Sequence, residues 1–150
     1  MNEISLPIAS NGKRIWSFMI DDMVINLFLM IIFSSQITAL MSGVTEVNEE
    51  SVALVNQFIM DNIAIVLAIK VLYHTLLIWQ SGMTLGKYIM KIKAVDMNSG
   101  MRLSFTQAFW RASVRLISEM FFYVGFLFAF FSPLHQTLHD KLSNCVVINV

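Results

Sequence analysis

The sequence predicts an α-helical integral membrane protein: about three hydrophobic helices, with a small cytoplasmic β-hairpin or strand element. Three observations lead there. Of the 150 residues, 57% are hydrophobic and only 13% charged, whereas a soluble domain carries about a quarter charged residues. Mean hydropathy is +0.68, and so few polar side chains could not cover a water-facing surface. The apolar residues also gather into long runs, and the basic residues collect beside them in an uneven way.

The first run extends from Trp16 to Met41, enough to cross a ~30 Å hydrocarbon core with tilt. It follows Lys13 and Arg14, but its length, its Asp21 and Asp22, and the lack of a small-residue cleavage site favour a retained helix over a signal peptide. The second run, Ile63 to Trp79, lies between Asp61 and Gln80-Ser81-Gly82. The third, Leu116 to Phe131, is rich in aromatics and stops at Ser132-Pro133.

Charge between the runs fixes an expected orientation. Residues 42–61 contain Glu46, Glu49, Glu50 and Asp61 and no Lys or Arg. The segment at about 80–115 carries Lys87, Lys91, Lys93, Arg102, Arg111 and Arg115. By the positive-inside rule, the N-terminus and residues 80–115 face the cytoplasm and residues 42–61 face out.

Within residues 80–115, Ile92-Lys93-Ala94-Val95 alternates as a strand does, and Asn98-Ser99-Gly100 reads as a turn before Met101-Arg102-Leu103. A cytoplasmic hairpin is expected. Ser104 and Gln107 have capping-box spacing, so a helix should start at Phe105. Its Arg111 and Arg115, beside Phe109 and Trp110, suit a helix at the membrane interface. The terminal Val146-Val147-Ile148 reads as a further strand. Three full crossings would leave residues 133–150 outside, away from the hairpin whose edge that strand should cover. Two courses stay open for the third segment: a full span, or a re-entrant one bending near Gly125.

These residues resemble the RDD family of bacterial membrane proteins. The resemblance rests on Arg14 followed seven residues later by Asp21, on Gly82-Met83-Thr84-Leu85-Gly86-Lys87, on Val95, Asp96 and Gly100 within "KIKAVDMNSG", and on His139-Asp140-Lys141-Leu142 leading into Val146-Val147. Four elements in order, from about residue 13 to 148, make the match specific. The chain departs from the family pattern at Asn144-Cys145, where Gly-Thr is usual, and doubles the first aspartate with Asp22. The resemblance implies a protein of the bacterial inner membrane, of a group often described as transporters, with sodium/proton exchange proposed for some.

A charge at the bilayer centre costs roughly 2.5–3.5 kcal/mol on insertion scales, so each needs a partner. Asp21 and Asp22 lie about 8 Å past Trp16 at 1.5 Å per residue, with Asn26 one turn beyond Asp22. On the second, oppositely directed helix, His74 is at similar depth and Lys70 is level with Asn26. An Asp/Asn face against a Lys/His face is the sharp expectation: a proton- or cation-handling cluster of Asp21, Asp22, Lys70 and His74. The bland alternative pairs Asp21 with Arg14, through a bridging group, or with an arginine of the middle segment. Lys70 leans outward along its helix and cannot easily snorkel to the cytoplasm. Glu119, four residues after Arg115, reads first as part of an interfacial charge stripe, and second as coupled to Asp21. Asp140 is expected to cap the last turn or to meet Arg14.

His135 and His139 have metal-ligand spacing on one helix face, but only Asp140 could be a third ligand. "SGMTLGK" has three residues between its glycines and Tyr88 after its lysine, so it does not fit the Walker loop of nucleotide hydrolysis. Thr84 instead caps a short helix, and Gly82 and Gly86 permit a tight exit from the membrane. The lone Cys145 excludes an intrachain disulfide or a multi-cysteine metal site. No nucleophile–base or paired-carboxylate frame points to an enzyme, no cofactor is expected, and zero net charge gives no reason for a nucleic-acid partner. The expected partners are the lipid bilayer and either further copies of the chain or a larger membrane protein. Function divides between a small transporter or ion-exchange unit and a non-transporting accessory or assembly subunit.

Overall fold

A computed structural model describes residues 7–121 and 123–150. The elements run α1 (Asn11–Ile32), α2 (Ser34–Gly43), α3 (Glu49–Ser81), α4 (Leu85–Ile89), β1 (Ile92–Asp96), α5 (Phe105–Met120), α6 (Val124–Phe131), α7 (Leu138–Leu142) and β2 (Cys145–Asn149). Helix α1, with 22 residues, and α3, with 33, are long and apolar enough to cross a membrane. A third passage exists only if α5 and α6, bent by 108°, count as one.

The first hydrophobic segment starts earlier than its apolar run and is not one helix. Ser10 caps α1 by accepting from the Lys13 N–H, which places Lys13 and Arg14 inside the helix. The helix then breaks at Phe33, whose backbone (φ −93°, ψ 11°) leaves helical geometry ahead of Ser34-Ser35. Serines compete for backbone hydrogen bonds, and a Ser pair is a recognised site of helix breakage. Residues 42–61, read as an outside loop, are largely the first turns of α3. Asn48 and Ser51 form a reciprocal capping box there, and Glu49 and Glu50 complement the positive helix end. Gly82, at φ 74°, ends α3 in the left-handed conformation.

The expected hairpin does not form. β1 pairs antiparallel with the terminal β2, in register Ile92↔Asn149 through Asp96↔Cys145. Residues 101–103 lie outside any strand. Asp96 explains why: its carboxylate accepts from the N–H groups of Asn98 and Ser99, its own N–H donates to the Met101 carbonyl, and Gln107 donates to it at 2.6 Å. Those bonds turn the chain into α5 rather than back along β1, and hold the Asp96 carboxyl below the usual carboxylate range. The other edge of β2 is bridged by Ile8, with the Ala9 N–H donating to Val147. Residues 8–9 therefore meet the C-terminal strand at one end of the described structure. Asn144 sits at φ 53°, a left-handed position that Asn tolerates where the family usually has glycine.

α5 departs from the sheet end and α7 with β2 returns to it, with a 108° bend between α5 and α6 of the kind that a broken span and a re-entrant segment share. The bend lies two residues before Gly125, at Tyr123 (φ 60°). Gly125 instead allows close packing, because a Cβ there would strike the Ser118 side chain and come within 3.3 Å of Leu138. The bend requires α6 to lie directly on α5.

Ser104 and Gln107 do form the capping box, and α5 starts at Phe105. Replacing Ser104 with Ala should cost about 1 kcal/mol, read as a lowered urea midpoint in detergent micelles; an unchanged midpoint would mean that packing alone sets the start of α5. Beneath the sheet, Ala9, Ile78, Ile92, Ala94, Leu103, Ala108, Cys145 and Val147 form the buried apolar cluster.

Candidate functional site

The sequence places four charged side chains in one cluster, and the structure distributes them between two. Asp21 is fully buried and pairs with no arginine. One carboxylate oxygen accepts from the Gly86 N–H at 2.8 Å and the Tyr73 hydroxyl at 2.9 Å, the other from the Thr84 hydroxyl at 2.6 Å. Thr84 is the N-cap of α4, so Asp21 serves that helix start, where N–H groups lack partners. The Gly-x-Thr-Leu-Gly-Lys stretch is thus the receptor for Asp21. Asp22 is a third exposed and faces elsewhere.

Asp22 belongs to a second group that contains Lys70, Glu119, Arg115 and His74. The Lys70 ammonium donates to Glu119 at 3.0 Å and to Asp22 at 3.4 Å. Asn26 supports Asp22 from one turn on, at 3.0 Å. Glu119 accepts in turn from Arg115 Nε at 3.0 Å, and Arg115 reaches His74 Nδ1 at 3.4 Å. Charges therefore alternate along α1, α3 and α5. The Glu119 side chain is 10% exposed and sits between two cations, Arg115 and Lys70. Lys70 lies eleven residues before the end of α3, about 16 Å along the axis from its sheet end. His74 meets Arg115 rather than an aspartate.

The third cluster lies at the sheet end. Asp140 Oδ1 accepts from Arg111 Nε at 2.9 Å and Nη2 at 2.7 Å, and Oδ2 accepts from Arg14 and, at 2.8 Å, from the Thr137 hydroxyl. Thr137 and Asp140 form a capping box at the first turn of α7, rather than at a last turn. Burial alone would raise the Asp140 pKa, but Arg14 and Arg111 hold it well below the carboxylate range. Burial, aided by the neighbouring arginines, keeps His139 neutral, and it pushes the Cys145 thiol up to about 11.

Three cations of the basic segment are buried. Arg111 and Arg115 are 3% and 4% exposed, while Phe109 and Trp110 on the same helix are exposed. Lys87, read from the sequence only as one of the basic residues of the segment at about 80–115, is 6% exposed; its ammonium meets the Ser17 hydroxyl at 3.4 Å. Burial, with Arg111 adding repulsion against the pull of Asp21, lowers its pKa to about 7. Nothing in hydropathy separates a buried lysine from an exposed one; the missed signal is its place one residue after Gly86.

His135 and His139 do not share a helix face, because α7 begins only at Leu138 and His135 stands at φ 50° before it. Among the described residues, no group of three His, Cys, Asp or Glu is placed to hold a metal ion. A cavity of about 200 Å³ opens beside the Asp140 cluster, between α1, α5, α6 and α7.

Comparison with curated proteins and with solved structures finds no match. The profile of the RDD family matches residues 8–144, which takes in Arg14, Asp21, the Gly82–Lys87 stretch and Asp140. The match covers nearly the whole chain, and the chain belongs to the RDD family.

Proposed function

We propose that the protein is an ion-exchange unit of a bacterial inner membrane, with Asp22, Lys70 and Glu119 as its cation-responsive centre. The observation that carries this reading is the Lys70 ammonium shared between two carboxylates on two other helices. An ionisable cluster on helices long enough to span is costly unless it serves a purpose. A sodium ion or proton arriving at Asp22 or Glu119 competes with that ammonium for the same oxygens. Cation binding then loosens α3 from α1 and α5, which couples occupancy to a helix shift. Two long helices and a bent pair do not enclose a pathway, so several copies assemble around it. The sheet end, with the basic residues around it, faces the cytoplasm, as the positive-inside rule requires.

The test is proton flux in proteoliposomes driven by a sodium or pH gradient, with wild type beside Lys70→Met and Glu119→Gln. Flux in wild type that falls to the empty-vesicle baseline in variants with unchanged gel-filtration profiles is the expected result. A second reading, a non-transporting accessory subunit of a larger membrane complex, draws on the exposed Met23, Leu27, Phe28 and Ile31 along α1. A flat signal from well-folded wild type, with a partner co-purifying, would favour it.

A further inference from the structure

The cavity of about 200 Å³ is lined by Arg14, Lys87, Arg111 and Arg115, and no carboxylate lines it among the described residues. Phe18, Tyr123, Phe126 and Phe130 also line it, and the Arg115 guanidinium lies over the Phe18 ring at 4.9 Å. Four cations around one hole repel one another, and the carboxylates that pair with them are shared. Asp140 is occupied by Arg14 and Arg111, and Glu119 by Arg115 and Lys70. Polar atoms remain unpartnered: Arg14 Nη1, a donor, and His139 Nδ1 are buried without a hydrogen-bond partner. Lys87 has only the Ser17 hydroxyl, at the long distance of 3.4 Å.

We propose that this cavity binds a phosphate-bearing anion, and that its occupant is the headgroup of an anionic phospholipid. A phosphate diester supplies acceptor oxygens for Lys87 and the free Arg14 nitrogen, and charge-assisted bonds of this kind are the strong ones. Basic pockets between helices at the cytoplasmic end are suited to such headgroups. The aromatic side chains choose between sources that share this chemistry. A free phosphate has no use for them, whereas an acyl-bearing lipid lays its apolar part along Phe126 and out over Phe130 and Tyr123, which are 59% and 47% exposed. The low pKa of Lys87 describes the cavity without an anion; a phosphate beside it restores the charged ammonium.

The site is tested apart from any flux. Protein stripped of lipid in dodecyl maltoside is examined by native mass spectrometry with added phosphatidylglycerol or phosphatidylcholine. Its melting temperature is then measured in sodium phosphate against sodium chloride of equal ionic strength. One phosphatidylglycerol per chain should be retained where phosphatidylcholine is not. Lys87→Gln should weaken that retention about tenfold or more, while Lys141→Gln, outside the cavity, should not. Phe130→Ala changes an exposed side chain and should weaken lipid retention while leaving any phosphate-induced rise in melting temperature. If Lys87→Gln does not fold, the lipid preference and phosphate effect in wild type still decide the matter. Stabilisation by phosphate with no lipid preference supports the anion site and assigns it a free phosphate. Equal retention of both lipids, with phosphate no better than chloride, overturns it.

Discussion

Replacing Asp140 with Asn should cost about 3–5 kcal/mol of stability, the range seen when one partner of a buried ion pair is removed. The carboxylate is fully buried and is the shared acceptor of Arg14 and Arg111. An amide of the same shape retains one acceptor oxygen but directs N–H groups at a guanidinium. Two buried cations then lose their counter-charge, and Arg14 already has one nitrogen without a partner. The three elements joined here, α1, α5 and α7, have no other ion pair in common among the described residues. The measurement is equilibrium unfolding by urea or heat in detergent micelles. A double variant that adds Arg14→Gln should recover part of the loss, because it removes one orphaned charge, and a double-mutant cycle isolates that coupling. A loss below about 1 kcal/mol would mean that water enters and screens the cluster. The pH dependence carries a sign as well. Because the folded pKa is depressed, the contribution of Asp140 is fully present above the unfolded carboxyl range and is lost as pH falls through the folded value. That value lies well below 3.8, so wild type should keep this contribution at pH 4.

The helices were legible because hydrophobic runs and caps are local signals. Ser104 with Gln107, Thr84 and Gly82 each announced an element boundary from neighbours in sequence, and each is where the pattern placed it. The strand pairing was not legible: β1 had a plausible local partner after Asn98-Ser99-Gly100, and alternation does not say which strand lies alongside. The deciding bonds belong to Asp96, whose preference for turn N–H groups becomes visible only when Gln107 is close by. In the candidate site, depth matching along two antiparallel helices put Asp22 and Asn26 opposite Lys70. It failed for Asp21 and His74 because it ignored rotation about the helix axis. Asp21 and Asp22 are about 100° apart on α1, so they face different partners. Asp21 turns to α4 and to Tyr73 of α3, and Asp22 turns to Lys70 of α3. The burial of the α5 arginines was not legible, because it depends on Asp140, far along the chain, coming back beside them through the bend at Tyr123.

Gly86→Ala should destabilise the protein by about 3 kcal/mol, the upper end of the usual cost of overpacking. A Cβ on Gly86 would strike the Ser17 carbonyl oxygen, 2.9 Å from the carbonyl carbon and 3.0 Å from the Asp21 carboxylate carbon. Ser17 and Asp21 are one turn apart in the middle of α1, so the obstacle is helix backbone and cannot swing aside. The short α4 must retreat instead. Retreat lengthens the bond from the Gly86 N–H to Asp21 and loosens those from Tyr73 and Thr84, leaving a buried carboxylate less satisfied. Gly12→Ala is the matched control, since a Cβ there meets nothing within 4 Å. In the first turn of α1 that change should be neutral or stabilising by up to about 1 kcal/mol. Melting of both variants in one detergent separates the steric cost from the general effect of adding a methyl group. If Gly86→Ala melts with wild type, α4 does not lie against α1, and Asp21 needs another explanation for its burial. If it melts early while Gly12→Ala does not, the Gly-x-Thr-Leu-Gly-Lys stretch is conformed to Asp21. An Asp21→Asn variant, which changes charge without adding bulk, should then lose less stability than Gly86→Ala.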